Sequence, residues 1–407
     1  MRPKILFLCT ACPFGTIGGS GLRTLYIARL LEKIGPVTMV AATDRPWTDD
    51  QVAQTKAAFN LVAYFKLQAS PTRGIFDWLR KTFDTHELNT NGVIAAPSDV
   101  QNLQALIKSH DIIWVHTIKL ANAFRIYRWS NSVIDVDDIP SRYHAMAAPL
   151  APNIKTKLQR RRSAWICRRH EAKLLNRFSV LTLCKESDRA YFSWDKRAHV
   201  VPNGFAAPEQ APKRQLNPQE PRLGMIGDFG HLPNSDGAAW FIKHVLPELR
   251  QKVPGFRLRL MGKKSTEIAS QYNDPAVVGL GYVPDTGLEI ATWSAMIVPT
   301  RQGGGTHLKV AEGLGRRVPM VTTRHGSRGY QLEDRQHALI ADSPETFSAA
   351  CLKLLKNPSE GEKLAAAGWE LFNQHYSWDS IGPAVEATVH ACLSRQSNQL
   401  EATPLQS

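Results

Sequence analysis

Residues 303–312, GGGTHLKVAE, combine glycines, a predicted helix start and charged side chains in a pattern that suits an anion. The glycines leave the backbone open to close approach. The helix predicted from Thr306 begins with amide N–H groups that have no partner within the helix. Lys309 adds a positive charge, and the carboxylate of Glu312 accepts hydrogen bonds from a diol. These residues predict a diphosphate site. A tight turn followed by a helix face exposed to solvent would give the same sequence pattern and is the alternative.

A second glycine-rich loop, GTIGGSG at residues 15–21, leads into another helical pattern near the start of the chain. It does not match the dinucleotide fingerprint, because it lies too far from the preceding strand and the strand VTMVAAT ends without an acidic residue. One such loop in each half of the chain favours anion binding over a simple turn. Dinucleotide binding is disfavoured.

Polar residues close two predicted strands in the first half of the chain. His116 ends DIIWVH, and Asp137 and Asp138 end SVIDVDD. A histidine there can take part in chemistry or can bond a backbone carbonyl. The aspartates can face a substrate or cap a helix that starts near Pro140. The residues alone leave both alternatives open.

The elements that position these residues are short apolar runs alternating with helical patterns. Such alternation is typical of an α/β fold whose parallel sheets are covered by helices on both faces. The runs are KILFLC, VTMVAA, DIIWVH, SVIDVDD, SVLTLC, RLGMIG, RLRLMG, VVGLGYV, AMIVPT, VPMVTT and HALIAD.

A segment rich in proline, glutamine and alanine, residues 203–221, separates the two series of runs. It predicts two doubly wound, Rossmann-like domains, residues 1–205 and 206–376, facing across a cleft that receives the ligand. Residues 377–407 are predicted to form a helix that packs back on the first domain, followed by a disordered tail from about Ser394.

Charge and composition limit the classes of partner. The 407 residues carry a formal charge of +14, which calls for an anionic partner such as nucleotide phosphate, nucleic acid or the inner membrane leaflet. No aromatic-interleaved basic motif points to nucleic acid. Six cysteines are too few for a disulfide scaffold, and the apolar runs are shorter than the roughly 20 residues of a membrane span. A cytoplasmic protein is expected.

Two segments are candidates for contact with the inner face of the membrane. Residues 154–178 are strongly basic, with Trp165, Ile166 and Leu174 among their apolar residues. Residues 74–83, GIFDWLRKTF, place aromatic residues beside two cations. The alternative for the first segment is a basic helix face exposed to solvent. The alternative for the second is a segment that covers the hydrophobic core.

Taken together, the motifs resemble glycosyltransferase family 4, whose members are nucleotide-sugar-dependent enzymes of the GT-B fold. The resemblance covers most of the chain and is weakest over residues 44–109. It rests on the ordered segments IGGSGLRTLYIARLL, VVPNG, GMIGDFGHLPNSDGAAWFIKHVLPEL, GLGYVPD and VPTRQGGGTHLKVAEGLGRRVPMVTT.

The resemblance implies that the second domain binds a nucleoside-diphosphate-sugar and the first presents a glycan or lipid-linked saccharide acceptor. Glu312 would hold the ribose, the backbone of Tyr282 and Val283 would meet the base, and His116, Lys309 and Asp137 would form the catalytic set. The remaining donor-binding positions are Gly19, Gly227, Arg301, Gly303, Gly304, Gly305, Thr306 and His307.

The resemblance further implies retention of anomeric configuration, no cofactor and no metal, with a role in surface polysaccharide biosynthesis. Two departures stand out. Gly304 occupies the position of the first of two glutamates common in the family, and Asp228 and His231 stand where an Arg and Lys phosphate clamp is usual. A nucleotide-sugar epimerase or hydrolase of the same fold, or an inactive glycan-binding relative, therefore remains an alternative.

Overall fold

The computed structural model describes residues 2–15, 18–70, 82, 83, 88, 92–149, 151, 153–210 and 212–401, the last six of these by their backbone alone. The chain forms two compact units. The first comprises Met1–Pro202 together with Ile381–Ser407, and the second comprises Asn203–Ser380. The chain thus enters the second unit at Asn203, whereas the sequence predicts a boundary after residue 205.

The first unit contains a seven-stranded sheet in the order β3-β2-β1-β6-β7-β8-β9, and every neighbouring pair in it is parallel. Strands β4 and β5 form a separate antiparallel pair. The strands of this unit are β1 (Ile5–Cys9), β2 (Val37–Thr43), β3 (Leu61–Lys66), β4 (Gln68–Ala69), β5 (Val93–Ile94), β6 (Ile112–His116), β7 (Ser132–Val136), β8 (Val180–Leu183) and β9 (Ala198–Val200).

Helices connect these strands, as parallel pairing requires. They are α1 (Gly19–Ile34), α2 (Asp49–Ala58), α3 (Pro97–Lys108), α4 (Ile118–Ala123), α5 (Pro140–Ala147), α6 (Ile154–Glu171) and α7 (Leu174–Arg177), followed by the 3₁₀ helix Glu186–Phe192. The residues of β1 are all fully buried, which explains why this strand is a continuous apolar run rather than an alternating one.

The second unit contains a six-stranded parallel sheet in the order β12-β11-β10-β13-β14-β15. Its strands are β10 (Arg222–Ile226), β11 (Arg257–Met261), β12 (Val277–Gly279), β13 (Ala295–Val298), β14 (Met320–Thr322) and β15 (Leu339–Ile340). Its helices are α8 (Leu232–His244), α9 (Leu246–Lys252), α10 (Ser265–Tyr272), α11 (Thr286–Ala291), α12 (Leu308–Gly315), α13 (Pro344–Lys356) and α14 (Pro358–His375).

Both sheets reverse their strand order beside the first strand of the unit, between β1 and β6 and between β10 and β13. In doubly wound sheets ligands bind outside the carboxyl ends of the strands at such a point. The predicted α/β class with two Rossmann-like units is confirmed.

The sequence did not predict β3, β4, β5 or β9. β4 and β5 have two residues each and β9 has three, too few to show a periodicity. β3 lies at the edge of its sheet and is partly exposed, so its pattern is mixed.

A last helix, α15 (Trp378–Glu401), carries the chain from the second unit back to the first. In the first unit, Thr388 Oγ1 lies 3.2 Å from His199 Nδ1. The helix continues beyond Ser394, where the sequence predicts a disordered tail, because residues such as Arg395, Gln399 and Leu400 favour a helix. Residues 402–407 of that predicted tail lie outside the described residues. Within the part of the chain that the structure describes, no helix is long and apolar enough to cross a membrane.

Burial in the second unit gives a matched test of the packing. Leu258 on β11 is fully buried, whereas Leu288 on α11 is 54% exposed. Leu258→Ala should lower the free energy of unfolding by about 2–5 kcal/mol, because it leaves a cavity. Leu288→Ala should change it by less than about 0.5 kcal/mol. Urea unfolding of the two variants measures the difference, and equal midpoints would show that β11 is not a core strand.

Candidate functional site

The glycine loop of the second unit follows β13 at the carboxyl edge of its sheet. Gly303 and Gly305 have φ angles of 120° and 75°, a region that favours glycine. A Cβ atom on Gly303 would lie 3.0 Å from Pro233 at the start of α8. The loop therefore passes close against α8, with Gly304 between the two constrained glycines.

Helix α12 begins at Leu308, two residues later than predicted, with His307 as its N-cap. The start is delayed because His307 has an extended backbone, with φ −89° and ψ 97°. Thr306 is held instead by Asn203, whose Nδ2 donates to Thr306 Oγ1 over 3.0 Å. The His307 side chain makes no capping hydrogen bond to the helix.

Lys309 connects α12 to α8. Its Nζ donates to Asn234 Oδ1 over 2.6 Å, and Asn234 Nδ2 in turn donates to the carbonyl oxygen of Asp228 over 2.9 Å. A Cβ atom on Gly227 would lie 2.6 Å from the Asn234 amide nitrogen. Gly227 therefore provides the space that the Asn234 side chain needs in order to hold the lysine.

The charge of Lys309 is sensitive to its surroundings. Burial lowers the pKa of Lys309 to about 8, even though the carboxylate of Glu312 opposes this shift. The Asn234 oxygen is a neutral acceptor, so it positions the ammonium group without neutralising it. At neutral pH the site therefore holds a fixed, only partly compensated cation beside the start of α12.

Arg301 has a different environment, although the sequence groups it with Lys309. Its Nη2 lies 2.9 Å and 3.0 Å from the two carboxylate oxygens of Asp236, and its guanidinium carbon lies 5.5 Å from the ring centroid of Trp240. Since Asp236 balances its charge, Arg301 is a weaker partner for an anion than Lys309.

Glu312 lies in the second turn of α12 and is paired within its own helix. Arg316 Nε donates to Glu312 Oε1 over 2.9 Å, and Arg316 Nη2 donates to Thr286 Oγ1 over 2.8 Å. The Glu312 side chain is 19% exposed. The arginine fixes one carboxylate oxygen, and a carboxylate has further acceptor capacity for a diol.

The loop after β12 carries Tyr282 and Val283 at the same edge of the sheet. Tyr282 is 80% exposed, and the turn before it is fixed by Gly281, whose N–H donates to Ser265 Oγ over 2.8 Å. An exposed aromatic ring beside an ordered backbone is suited to contact with a planar base.

His325, after β14, is a residue that the sequence analysis missed. Its Nε2 lies 3.1 Å from the carbonyl oxygen of Gly303, and its ring centroid lies 6.0 Å from that of His307. Asp228, by contrast, accepts from the N–H of Gly230 over 2.8 Å, and this bond stabilises the turn before α8. His231 is the N-cap of α8 and makes no side-chain capping bond.

In the first unit, His116 ends β6 and is 1% exposed. Its Nδ1 lies 3.2 Å from Thr24 Oγ1, and Thr24 Oγ1 donates its own proton to the Ser20 carbonyl oxygen over 2.9 Å. The hydrogen-bond network therefore assigns the proton of His116 to Nδ1. Burial lowers the pKa of His116, so the ring is neutral, and Nε2 is a buried acceptor with no partner among the described residues.

Thr117, directly after His116, has a φ angle of 89°. This value is a strained one for a β-branched residue. Its side chain accepts from the N–H of Leu120 over 3.4 Å at the start of α4. This contact links the strand end at His116 to the first turn of α4.

A buried ion pair supports this strand end, and the sequence analysis missed it. Arg23 Nη2 lies 2.6 Å from Asp135 Oδ1, with both side chains 1% exposed, and Thr182 Oγ1 donates to the same oxygen over 2.6 Å. Burial alone would raise the pKa of Asp135, but the charge and hydrogen bonds of Arg23 lower it below its usual value. Asp135 is therefore a carboxylate that fixes α1 against β7.

Asp137 follows β7, and Cys184 Sγ donates to its Oδ1 over 3.1 Å. Asp137 and Asp138 line a cavity of about 190 Å³ in the first unit. Its other lining residues are Thr117, Ile118, Lys119, Asn122, Val136, Pro140, Cys167, His170 and Glu171. His116 is not among them. Gly19 is the first residue of α1, after an extended Gly18.

No group of three or more histidine, cysteine, aspartate or glutamate side chains that could hold a metal ion occurs within the described residues.

Residues 220–357 match the family described as glycosyl transferases group 1. The second unit therefore carries a glycosyltransferase domain, which includes β10–β15 and α8–α13. No curated protein matches the chain.

Solved structures share the fold of the whole chain. Sucrose-phosphate synthase from Thermosynechococcus elongatus is 14% identical with a TM-score of 0.66, over 98% of this chain and 100% of that one. HepE from Anabaena, in complex with UDP, is 15% identical with a TM-score of 0.64, and the match covers 95% of this chain and 100% of HepE. A mutant of TarM from S. aureus, in complex with fondaparinux, α-GlcNAc-glycerol and UDP, is 11% identical with a TM-score of 0.65, and the match covers 95% of this chain and 99% of TarM. The fold is that of the GT-B glycosyltransferases.

The buried pair Arg23–Asp135 gives a test of how the first unit holds its strand ends. Asp135→Asn should lower the free energy of unfolding by about 3–5 kcal/mol, because it leaves a buried arginine without its counter-charge. The matched change Asp44→Asn removes the partner of Lys119 in a pair whose side chains are each 35% exposed, and should cost less than about 1 kcal/mol.

Thermal and urea unfolding measure both changes. The double variant Arg23→Met, Asp135→Leu should recover most of the loss, since it removes both charges. If Asp135→Asn lowers the free energy of unfolding by no more than Asp44→Asn does, Arg23 and Asp135 do not form a buried ion pair.

Proposed function

We propose that the protein transfers a sugar from a nucleoside-diphosphate-sugar to a glycan or lipid-linked saccharide acceptor during surface polysaccharide biosynthesis. The observation that carries this proposal is the Lys309 ammonium group, held by Asn234 beside the glycine loop and the start of α12. An anion-binding loop with a fixed cation is what a diphosphate requires.

The chemistry explains why a cation is needed at this point. Breaking the bond between an anomeric carbon and a diphosphate builds negative charge on the leaving oxygen, and preorganised donors stabilise that charge. The N–H groups at the start of α12 and Lys309 supply such donors. Lys309 takes the place of the Arg and Lys clamp that is missing from residues 227–237. Arg301, balanced by Asp236, contributes less.

The remaining donor contacts follow from the same unit. We assign the nucleotide ribose to the second oxygen of Glu312 and the base to the loop of Tyr282 and Val283. Gly303, Gly304, Gly305 and Thr306 line the diphosphate and the sugar, with His307 beside them. UDP is the first nucleotide to test, because the HepE and TarM structures contain it.

In the first unit we assign the acceptor to the cavity beside Asp137 and a hydroxyl of the transferred sugar to Nε2 of His116. A neutral imidazole with a free lone pair accepts a hydrogen bond without adding charge. Gly19 adds an open backbone at the start of α1. The acceptor hydroxyl gives its proton to a phosphate oxygen of the donor.

We propose that the configuration at the anomeric carbon is retained and that neither a divalent metal nor a cofactor takes part, so chelation should leave the transfer rate unchanged. The enzyme would work at the cytoplasmic side of the inner membrane, where lipid-linked acceptors are presented.

Donor binding is tested by thermal unfolding with UDP, GDP, ADP and their sugars, since a ligand that binds the folded state raises its stability. Lys309→Ala should weaken the binding of the preferred nucleotide about ten- to a hundredfold, because a charge-assisted hydrogen bond is lost. Glu312→Ala should do the same for nucleotides that carry an intact ribose diol.

Matched controls are Lys353→Ala and Glu360→Ala, which change a surface ion pair of the same unit on α13 and α14. Both controls should respond to the nucleotide like the parent protein. If the two site variants also respond like the parent, the donor site lies elsewhere. Hydrolysis of the donor at the same rate with and without acceptors would indicate a hydrolase instead.

The pKa of about 8 for Lys309 predicts a pH dependence. A lysine is charged below its pKa, so affinity for the diphosphate should be full at pH 7 and fall about tenfold by pH 9. Lys309→Arg keeps its charge over this range and should give a flatter profile, even if its affinity at pH 7 is lower. Calorimetric titration with UDP measures both profiles, and parallel profiles would show that another group controls the affinity.

A further inference from the structure

Helix α6 of the first unit exposes a line of large apolar side chains. Ile154, Leu158 and Trp165 are 69%, 56% and 46% exposed. Their spacings of four and seven residues place them along one line of the helix surface. A solvated helix face is expected to be polar, and this line is not.

The opposite side of α6 is firmly packed, so the exposure does not come from a loose helix. Ile166 and Glu171 are buried, and Glu171 accepts from the backbone N–H of Ser141 over 2.8 Å, which ties α6 to α5. The sequence analysis named Ile166 and Leu174 among the apolar residues of this candidate membrane segment, but neither is available for such a contact. Both lie in the protein interior.

Basic residues border the apolar line on both sides. Seven of the 18 residues of α6 are Lys or Arg, and its one acid is the buried Glu171. By helical geometry Arg161 and Arg168 flank one side of the line, and Lys155 and Arg169 flank the other. The exposed face is therefore apolar at its centre and positively charged at its margins.

Phe83 extends this surface. It is 60% exposed, and its ring lies against Trp165, with a centroid distance of 6.2 Å. Arg169 holds the two together, because it donates to the carbonyl oxygen of Phe83 over 3.1 Å and lies 4.5 Å from the Trp165 ring centroid. Residues 74–81 of the second predicted membrane segment lie outside the described residues.

We propose that this surface, formed by Ile154, Leu158, Trp165, Phe83 and the basic residues beside them, docks the protein on an anionic lipid bilayer. Apolar and aromatic side chains enter the boundary between headgroups and acyl chains, while arginines at the margins contact lipid phosphates. The charge of the surface selects an anionic bilayer over a neutral one. The inference names a partner of the enzyme and does not depend on its donor.

Co-sedimentation of the full chain with vesicles tests the inference. Vesicles of phosphatidylcholine with phosphatidylglycerol should bind at least about tenfold more protein than vesicles of phosphatidylcholine alone at physiological salt, because the basic margin adds an electrostatic attraction. Trp165→Glu and Leu158→Glu should each lower binding about tenfold or more, since each places a carboxylate in the contact.

Two exposed residues provide matched controls. Trp194 is 55% exposed and also lies near an arginine, with Arg189 5.6 Å from its ring centroid. Leu288 is 54% exposed in the second unit. Trp194→Glu and Leu288→Glu should bind vesicles like the parent protein, and a loss equal to that of the α6 variants would overturn the proposal.

Other occupants give distinct results. Equal binding to both kinds of vesicle, or binding of an RNA oligonucleotide that Trp165→Glu abolishes while vesicles are not bound, would overturn the proposal. Thermal unfolding with UDP is measured for every variant. A variant that loses vesicle binding but is still stabilised by UDP shows that docking and donor binding are separate. If UDP does not stabilise the parent protein, that result counts against the proposed function and not against the docking surface.

Discussion

The hydrogen bond between Lys309 and Asn234 is the interaction on which the proposed donor site depends. It joins the first turns of two helices that follow different strands of the second sheet, and it places an ammonium group beside the glycine loop. An unpaired buried cation would be costly, whereas a carboxylate partner would cancel its charge. A neutral amide avoids both outcomes, and Gly227 leaves the room that the amide needs.

The first unit also contains a buried cation, but there the partner is a carboxylate. Arg23 and Asp135 are both buried and bonded to each other, which fixes α1 beside the end of β7. His116 ends the neighbouring strand β6, and its ring is neutral. Its Nε2 atom has no hydrogen-bond partner among the described residues. The charge is thus kept in a closed pair, and the adjoining imidazole is kept neutral by its burial.

The sequence was sufficient for the fold class and for the positions of the loops, because glycine loops and continuous apolar runs are local signals. It was insufficient for Asn234, His325 and Asp135, whose partners lie 75, 22 and 112 residues away. Asn234 lies within a segment that the sequence analysis quoted for the resemblance, but its contact with Lys309 depends on tertiary packing. For the same reason, the pairing of Arg301 with Asp236 and the burial of Ile166 could not be predicted from composition.

The most direct test of the central claim is hydrogen exchange of the backbone with and without saturating UDP. If exposed N–H groups at the start of α12 hold the diphosphate, peptides covering residues 303–312 should exchange more slowly with the nucleotide, while α13 should be unchanged. Slower exchange should also appear around Asn234. Bound UDP that leaves the exchange of residues 303–312 unaltered would contradict the account.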